Sequence, residues 1–129
     1  MACRPPILSL AIIIPTACLA GPNAYQRLAG REIAPRFAGM ELTDAVHWGL
    51  IFGRNGKLTS VENGSVSKNT GTWQVTKDKL CLTHTPAQPR CYEVWVLGRS
   101  IHLVPDGDLP VDGVLQRSSV KGLYEENRP

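Results

Sequence analysis

Gly71-Thr72-Trp73-Gln74-Val75-Thr76-Lys77-Asp78-Lys79-Leu80-Cys81-Leu82-Thr83 is followed, after a Pro-containing loop, by Arg90-Cys91-Tyr92-Glu93-Val94-Trp95-Val96-Leu97-Gly98-Arg99-Ser100-Ile101-His102-Leu103. Apolar and polar residues alternate through both segments, the period of a β-strand with one buried face. Lys77-Asp78 and Gly98-Arg99 read as two-residue hairpin turns. The first turn sets Thr76 opposite Lys79, Val75 opposite Leu80 and Trp73 opposite Leu82. The second sets Val96 opposite Ile101, Trp95 opposite His102 and Val94 opposite Leu103. A Cys81–Cys91 disulfide sets the register of the hairpin between them, with Leu80 opposite Tyr92 and Lys79 opposite Glu93. A cross-strand bond of this kind suits the close approach of a non-hydrogen-bonded pair.

These three registers agree about faces. Trp73, Val75, Leu80, Leu82, Tyr92, Val94, Val96, Ile101 and Leu103 share one side and form the expected core. Thr72, Gln74, Thr76, Lys79, Cys81, Cys91, Glu93, Trp95 and His102 share the other. A slip of one residue in any hairpin would turn apolar side chains into water.

The same reading extends outward. Val46, Trp48, Leu50 and Phe52 alternate with His47, Gly49 and Ile51 and lead to Asn55-Gly56, a strong hairpin signal. Residues 57–62 form the return strand, and Asn63-Gly64 marks another turn. With residues 71–76, 79–83, 90–96, 100–104 and 111–117, about seven short strands are expected. Strands so evenly spaced, with no helix between them, predict an all-β, mainly antiparallel meander or small barrel. One helix precedes them over residues 23–33. Asn23 caps it, Tyr25, Leu28 and Ala29 lie on one face, and Pro35 ends it at Ala34.

The first twenty residues have a different character. Arg4 is followed by an apolar stretch over residues 7–14, then Pro15 and small residues up to Cys18-Leu19-Ala20. That is the layout of a secretory signal with cleavage after Ala20. Thr16-Ala17-Cys18 also resembles the end of a lipoprotein signal, although Pro15 stands where leucine is usual. The expected organisation is therefore a signal over 1–20, one β-rich domain over 21–117 and a polar, flexible tail over 118–129. Removing the signal takes Cys3 and Cys18 with it and leaves Cys81 and Cys91 to pair, as an exported domain would.

Composition bounds the function. The chain has 129 residues, 43% hydrophobic and 19% charged, with a net charge of +3. A domain of that length buries about two thirds of its unfolded surface, so a modest core with a disulfide is reasonable. The basic residues are scattered, which speaks against nucleic acid or a polybasic membrane patch. The longest apolar run falls well short of the roughly 20 residues that span a bilayer.

Leu28-x-Gly30-x-Glu32-Ile33, Phe37-Ala38-Gly39-Met40, Trp48, Phe52, Gly56, Leu58, Gly71-Thr72-Trp73, Leu80-Cys81 and Cys91-Tyr92 occur in that order. Over about residues 28–115 this resembles a group of small exported proteobacterial domains, common in alphaproteobacteria. In that group a helix leads into an aromatic strand, a Gly-Thr-Trp strand and a two-cysteine hairpin. Pro35 departs from the pattern, in which the helix continues. The resemblance implies export and fold, and carries no activity and no site residue.

Chemistry is sparse. His47, His84 and His102 have no spacing suited to a metal, which needs three or four converging ligands. Cys81 and Cys91 lack C-x-x-C spacing, so their bond is expected to be structural. No serine sits in a Gly-x-Ser-x-Gly elbow. Asp106-Gly107-Asp108 lacks the spacing of a calcium loop and reads as a turn. Glu62 and Glu93 are not aimed at one cleft by the pattern. No cofactor and no enzymatic activity are expected.

One surface invites binding: Trp95 beside His102 on the polar sheet face, with Glu93, Lys79 and Gln74 nearby. An aromatic on such a face suits sugar or protein recognition. The expected function is a periplasmic or secreted, non-enzymatic binding or envelope-associated module. Its expected partner is an envelope protein, a glycan or a small apolar ligand. The alternatives are a lipocalin-like carrier lined by Trp48, Phe52, Trp73 and Tyr92, or an enzyme inhibitor presenting the loop 83–90.

Overall fold

The structure, a computed structural model, describes residues 24–84 and 87–118. The elements are β1 (Gln26–Arg27), α1 (Gly30–Phe37), β2 (Met40–Thr43), β3 (Trp48–Phe52), β4 (Lys57–Glu62), β5 (Ser65–Thr76), β6 (Lys79–His84), β7 (Arg90–Leu97), β8 (Ser100–Pro105) and β9 (Val111–Arg117). The expected signal over 1–20, Cys18, Asn23 and the tail beyond Ser118 lie outside the described residues.

Strands β2 to β9 pair antiparallel in sequence order, and β9 pairs back onto β2, so eight strands close into a barrel. Closure pairs the two outer strands, β2 and β9, that an open meander would leave as edges. The fold class read from the sequence stands, with two strands more than the seven expected. The longer of the two, β2, is the one that closes the barrel. Met40-Glu41-Leu42-Thr43 alternates, but four residues are too few for the pattern to stand out; in the fold Leu42 faces the core, and Glu41 and Thr43 are buried as well. The other, β1, is two residues long and lies on β7 beside Trp95 and Val96. On that same edge of β7, β6 pairs with Arg90, Cys91 and Tyr92.

All three central registers form as the alternation requires. Trp73 faces Leu82 and Val75 faces Leu80. Cys81 faces Cys91. Trp95 faces His102 and Val94 faces Leu103. The Asn63-Gly64 turn is a tight hairpin, with both residues at positive φ (50° and 80°) as a type I′ turn demands. The β5 strand begins six residues earlier than residue 71 and bulges against β4 between Thr59 and Val61.

The interior is filled by side chains. Phe52, Leu58, Leu80, Val94, Ile101 and Leu103 are almost wholly inaccessible, and Trp73, Tyr92 and Leu115 join them. The Phe37, Phe52 and Trp73 rings meet edge to face, with centroids 5.0 and 5.5 Å apart. Trp73 Nε1 donates to the Gly53 carbonyl at 2.8 Å, which satisfies its one polar atom inside the core.

The helix departs from expectation. Residues 24–29 are not helical: Gln26–Arg27 is a strand, Ala29 is extended, and α1 starts at Gly30 and runs through Pro35 to Phe37. Proline there removes one helical hydrogen bond and costs about 3 kcal/mol. Ile33 and Phe37, one turn apart, are both fully buried. Burying two such side chains contributes about 3–6 kcal/mol, which outweighs the proline. Pro35 itself faces solvent.

The contacts of α1 place it across one end of the barrel. The Gly30 amide donates to Asp78 in the β5–β6 turn at 2.7 Å, and Arg36 reaches the Gly98 carbonyl in the β7–β8 turn at 3.3 Å. Just beyond the helix, the Gly39 amide donates to the Phe52 carbonyl at 2.6 Å, beside the β3–β4 turn. These three turns lie at the same end of an up-and-down meander. The N-cap residue of α1 is Ala29, whose own amide is held by Glu32 Oε1 at 2.8 Å.

Candidate functional site

The register places Trp95, Glu93 and His102 on the outer wall of β7 and β8, each half-buried. Trp95 Nε1 donates to Glu93 Oε1 at 3.1 Å. His102 Nδ1 pairs with Asp112 on β9. The structure adds two residues from the N-terminal arm. Tyr25 lies against the His102 ring, centroids 3.9 Å apart, and Arg27 reaches Glu93 at 3.7 Å. The result is a row of rings, Tyr25, His102 and Trp95, edged by two carboxylates.

Tyr25 and Arg27 were missed because residues 23–33 read as helix. Their extended form is set by the free stretch of the β7 edge, where Gln26 pairs with Val96 and Leu28 donates its amide to the Val94 carbonyl at 2.8 Å. No local signal in the sequence marks that edge as open.

The remaining two predicted surface residues stand apart. Gln74 is exposed on β5 opposite Cys81, on the far side of the disulfide. Lys79, set opposite Glu93 by the expected register, does not pair with it. Its ammonium turns to Asp106 at 3.4 Å, while Glu93 takes Arg27. Charges on long side chains follow whichever partner the tertiary fold brings near, and neighbouring strands do not guarantee the pair.

The Cys81–Cys91 disulfide forms, with Cys81 buried and Cys91 half-buried. It borders a cleft of about 480 Å³ lined by Arg27, Thr76, Lys77, Asp78, Lys79 and the two cysteines. The cleft lies where β1 and the β5–β6 turn approach one another. Lys77 holds this turn at φ 57°, the left-handed region, which costs a non-glycine residue about 1 kcal/mol.

The other end of the barrel carries a second, smaller cleft of about 160 Å³, bordered by Glu41, Thr43, His47, Trp48 and Gln116 among others. Glu41 is almost wholly buried although it faces outward. It fits because residue 49 is glycine: a Cβ there would lie 2.2 Å from Glu41 Oε2. The adjoining β2–β3 turn is organised by Asp44. Its Oδ1 accepts the amides of Val46, His47 and Trp48 at 2.9, 2.7 and 3.1 Å, and Oδ2 meets His47 Nδ1 at 2.9 Å. Desolvation pushes this carboxyl up, but the Trp48, Val46 and His47 amides and the His47 ring outweigh it. Asp44 is held well below the usual carboxylate range.

His47, His84 and His102 lie in the β2–β3 turn, at the end of β6 and on β8, so they are not brought together. Among the described residues no three His, Cys, Asp or Glu side chains group as a metal site would require. Asp106 and Asp108 flank Gly107 in the β8–β9 turn and pair with Lys79 and Arg90. Of the loop 83–90 proposed for an inhibitor, Thr83 is half-buried and His84, Ala87, Gln88, Pro89 and Arg90 are exposed. No helix among the described residues is long and apolar enough to cross a membrane. Comparison with protein-family models, with curated proteins and with solved structures found no match.

Proposed function

We propose that this chain is an exported, non-enzymatic binding module whose contact face is the outer wall of β7 and β8. The observation that carries the reading is the row Tyr25–His102 and Trp95–Glu93 on a barrel whose interior is filled by its own core. Aromatic faces give apolar contact area at little entropic cost, and adjacent carboxylates accept hydrogen bonds from hydroxyl or amide donors. The chemistry suits a glycan or a protein of the cell envelope. Export rests on the signal pattern of residues 1–20 and on the disulfide, which persists in an oxidising compartment. The kinship with small exported proteobacterial domains belongs to the same proposal.

The decisive variant is Trp95→Ala. It should leave the melting temperature within about 3 °C, because a half-buried surface ring carries little of the core. It should abolish binding to an envelope glycan or protein fraction that the unaltered protein retains. A fall of ten degrees, or unchanged binding, would overturn the reading.

A lipocalin-like carrier is the second reading, favoured by the eight-strand closure, the size at which a barrel starts to hold a small ligand. Of its proposed lining, Phe52, Trp73 and Tyr92 are buried within the core and Trp48 packs against it. Native mass spectrometry of protein purified from its host tests it: a retained small molecule supports the carrier, and bare protein ends it.

A further inference from the structure

We propose that the cleft beside the Cys81–Cys91 disulfide binds an organic monocarboxylate with a short alkyl chain. The site is separate from the aromatic row, and of that row's neighbours only Arg27 borders it. Its size, about 480 Å³, falls in the range of small-molecule sites.

Three cations from three elements meet there: Arg27 from β1, Lys77 from the β5–β6 turn and Lys79 from β6. The carboxylates close to them are engaged differently. Asp78 accepts the Gly30 amide at 2.7 Å and is matched by the positive end of α1. Glu93 stands 3.7 Å from Arg27 and also accepts the Trp95 ring N–H. Asp106 meets Lys79 at 3.4 Å with 91% of its side chain exposed. Solvated pairs of this kind are readily exchanged for another anion. Lys77 makes no ion pair among the described residues, so its ammonium can take an incoming anion without giving up a carboxylate. One unpaired ammonium, with the Asp78 carboxylate beside it on the same lining, matches a monoanion better than a phosphate dianion.

The lining decides the rest of the ligand. Cys81 is almost wholly buried and Cys91 half-buried, so the disulfide offers its apolar surface to the cleft on the Cys91 side. The methylene stems of Lys77 and Lys79 add apolar surface beneath their charged ends. A carboxylate at the cationic rim with an alkyl chain along the disulfide uses both parts of the cleft. Inorganic phosphate would use only the rim, and a neutral alcohol only the wall.

The test follows octanoate, octanol and inorganic phosphate by ¹H–¹⁵N NMR titration of the oxidised protein. Octanoate should shift the Arg27, Lys77 and Lys79 amides saturably and bind at least tenfold more tightly than either comparator. Lys77→Gly separates binding from folding, because glycine accepts the positive φ without strain. This variant should keep or raise the melting temperature, retain the Gly30 amide shift and weaken octanoate about tenfold. The proposal fails if octanoate produces no saturable shifts at those amides. It also fails if phosphate or octanol binds as well, or if Lys77→Gly leaves the octanoate affinity unchanged. None of these readouts depends on the envelope partner, so they stand apart from the Trp95 experiment.

Discussion

The Gly30 amide donates to the Asp78 carboxylate at 2.7 Å across 48 positions of sequence. A hairpin turn thereby supplies the acceptor that the first turn of the helix lacks, because the N-cap residue is Ala29 and has no side-chain oxygen. The contact is close on the backbone side as well. A Cβ on residue 30 would lie 2.0 Å from the Lys77 carbonyl oxygen.

This arrangement sets the signs of two substitutions. Asp78→Ala should cost about 1 kcal/mol in urea unfolding, the usual loss for an N-terminal acceptor. Gly30→Ala should also destabilise, although alanine is favoured over glycine in a helix by about 1 kcal/mol. The Lys77 carbonyl belongs to a paired hairpin and does not yield cheaply. A stabilised Gly30→Ala variant would show that the helix is not seated on this turn.

The disulfide closes a loop with a sequence separation of 10. Replacing both cysteines by alanine should lower stability by about 2–3 kcal/mol, mainly by freeing the unfolded chain. The β6–β7 register should survive, since Leu80 opposite Tyr92 keeps both side chains in the core. Denaturant titration reads the loss, and cross-strand NOEs between Leu80 and Tyr92 read the register.

Trp73 and Trp95 should behave oppositely. Trp73 is buried, touches Phe52 edge to face and satisfies its N–H on Gly53. Trp73→Ala should cost about 3–5 kcal/mol and leave the Gly53 carbonyl without that donor. In a barrel of this size such a loss is a large share of total stability. Circular dichroism melts of the two variants side by side make the comparison. Equal losses would mean that Trp95 belongs to the core.

Asp44 carries a pH dependence whose sign follows from its lowered pKa. Its unfolded value is about 3.9, so its contribution is complete above roughly pH 5 and declines as pH falls below that value towards the folded pKa. Asp44→Asn should therefore lower the melting temperature at pH 7, and the gap between the two proteins should narrow as the pH falls below about 4. A gap that stays constant with pH would mean that the carboxylate's charge plays no part in holding the turn.

The candidate face was partly legible. Trp95, His102 and Glu93 share it because alternation assigns faces once a turn sets the register, and Lys77-Asp78 and Gly98-Arg99 do so locally. Tyr25 and Arg27 were not legible, because their conformation belongs to the open edge of β7. Asp112 pairs with His102 only because β9 returns beside β8. Lys79 was assigned to Glu93 by strand adjacency, and the β8–β9 turn drew it to Asp106 instead.

Sequence alone determined the all-β class, the registers of the three central hairpins, the buried face and the Cys81–Cys91 pair. Each follows from interactions between near neighbours: alternation, tight turns and the exclusion of apolar side chains from water. Tertiary structure decided the closure of the barrel through β2, the helix that runs through Pro35 and the extended arm that carries Tyr25 and Arg27. It also decided the cleft beside the disulfide. These depend on surfaces and charges brought together from distant parts of the chain. The burial of Ile33 and Phe37, and the carboxylate that Asp78 offers to Gly30, exist only once the barrel has formed.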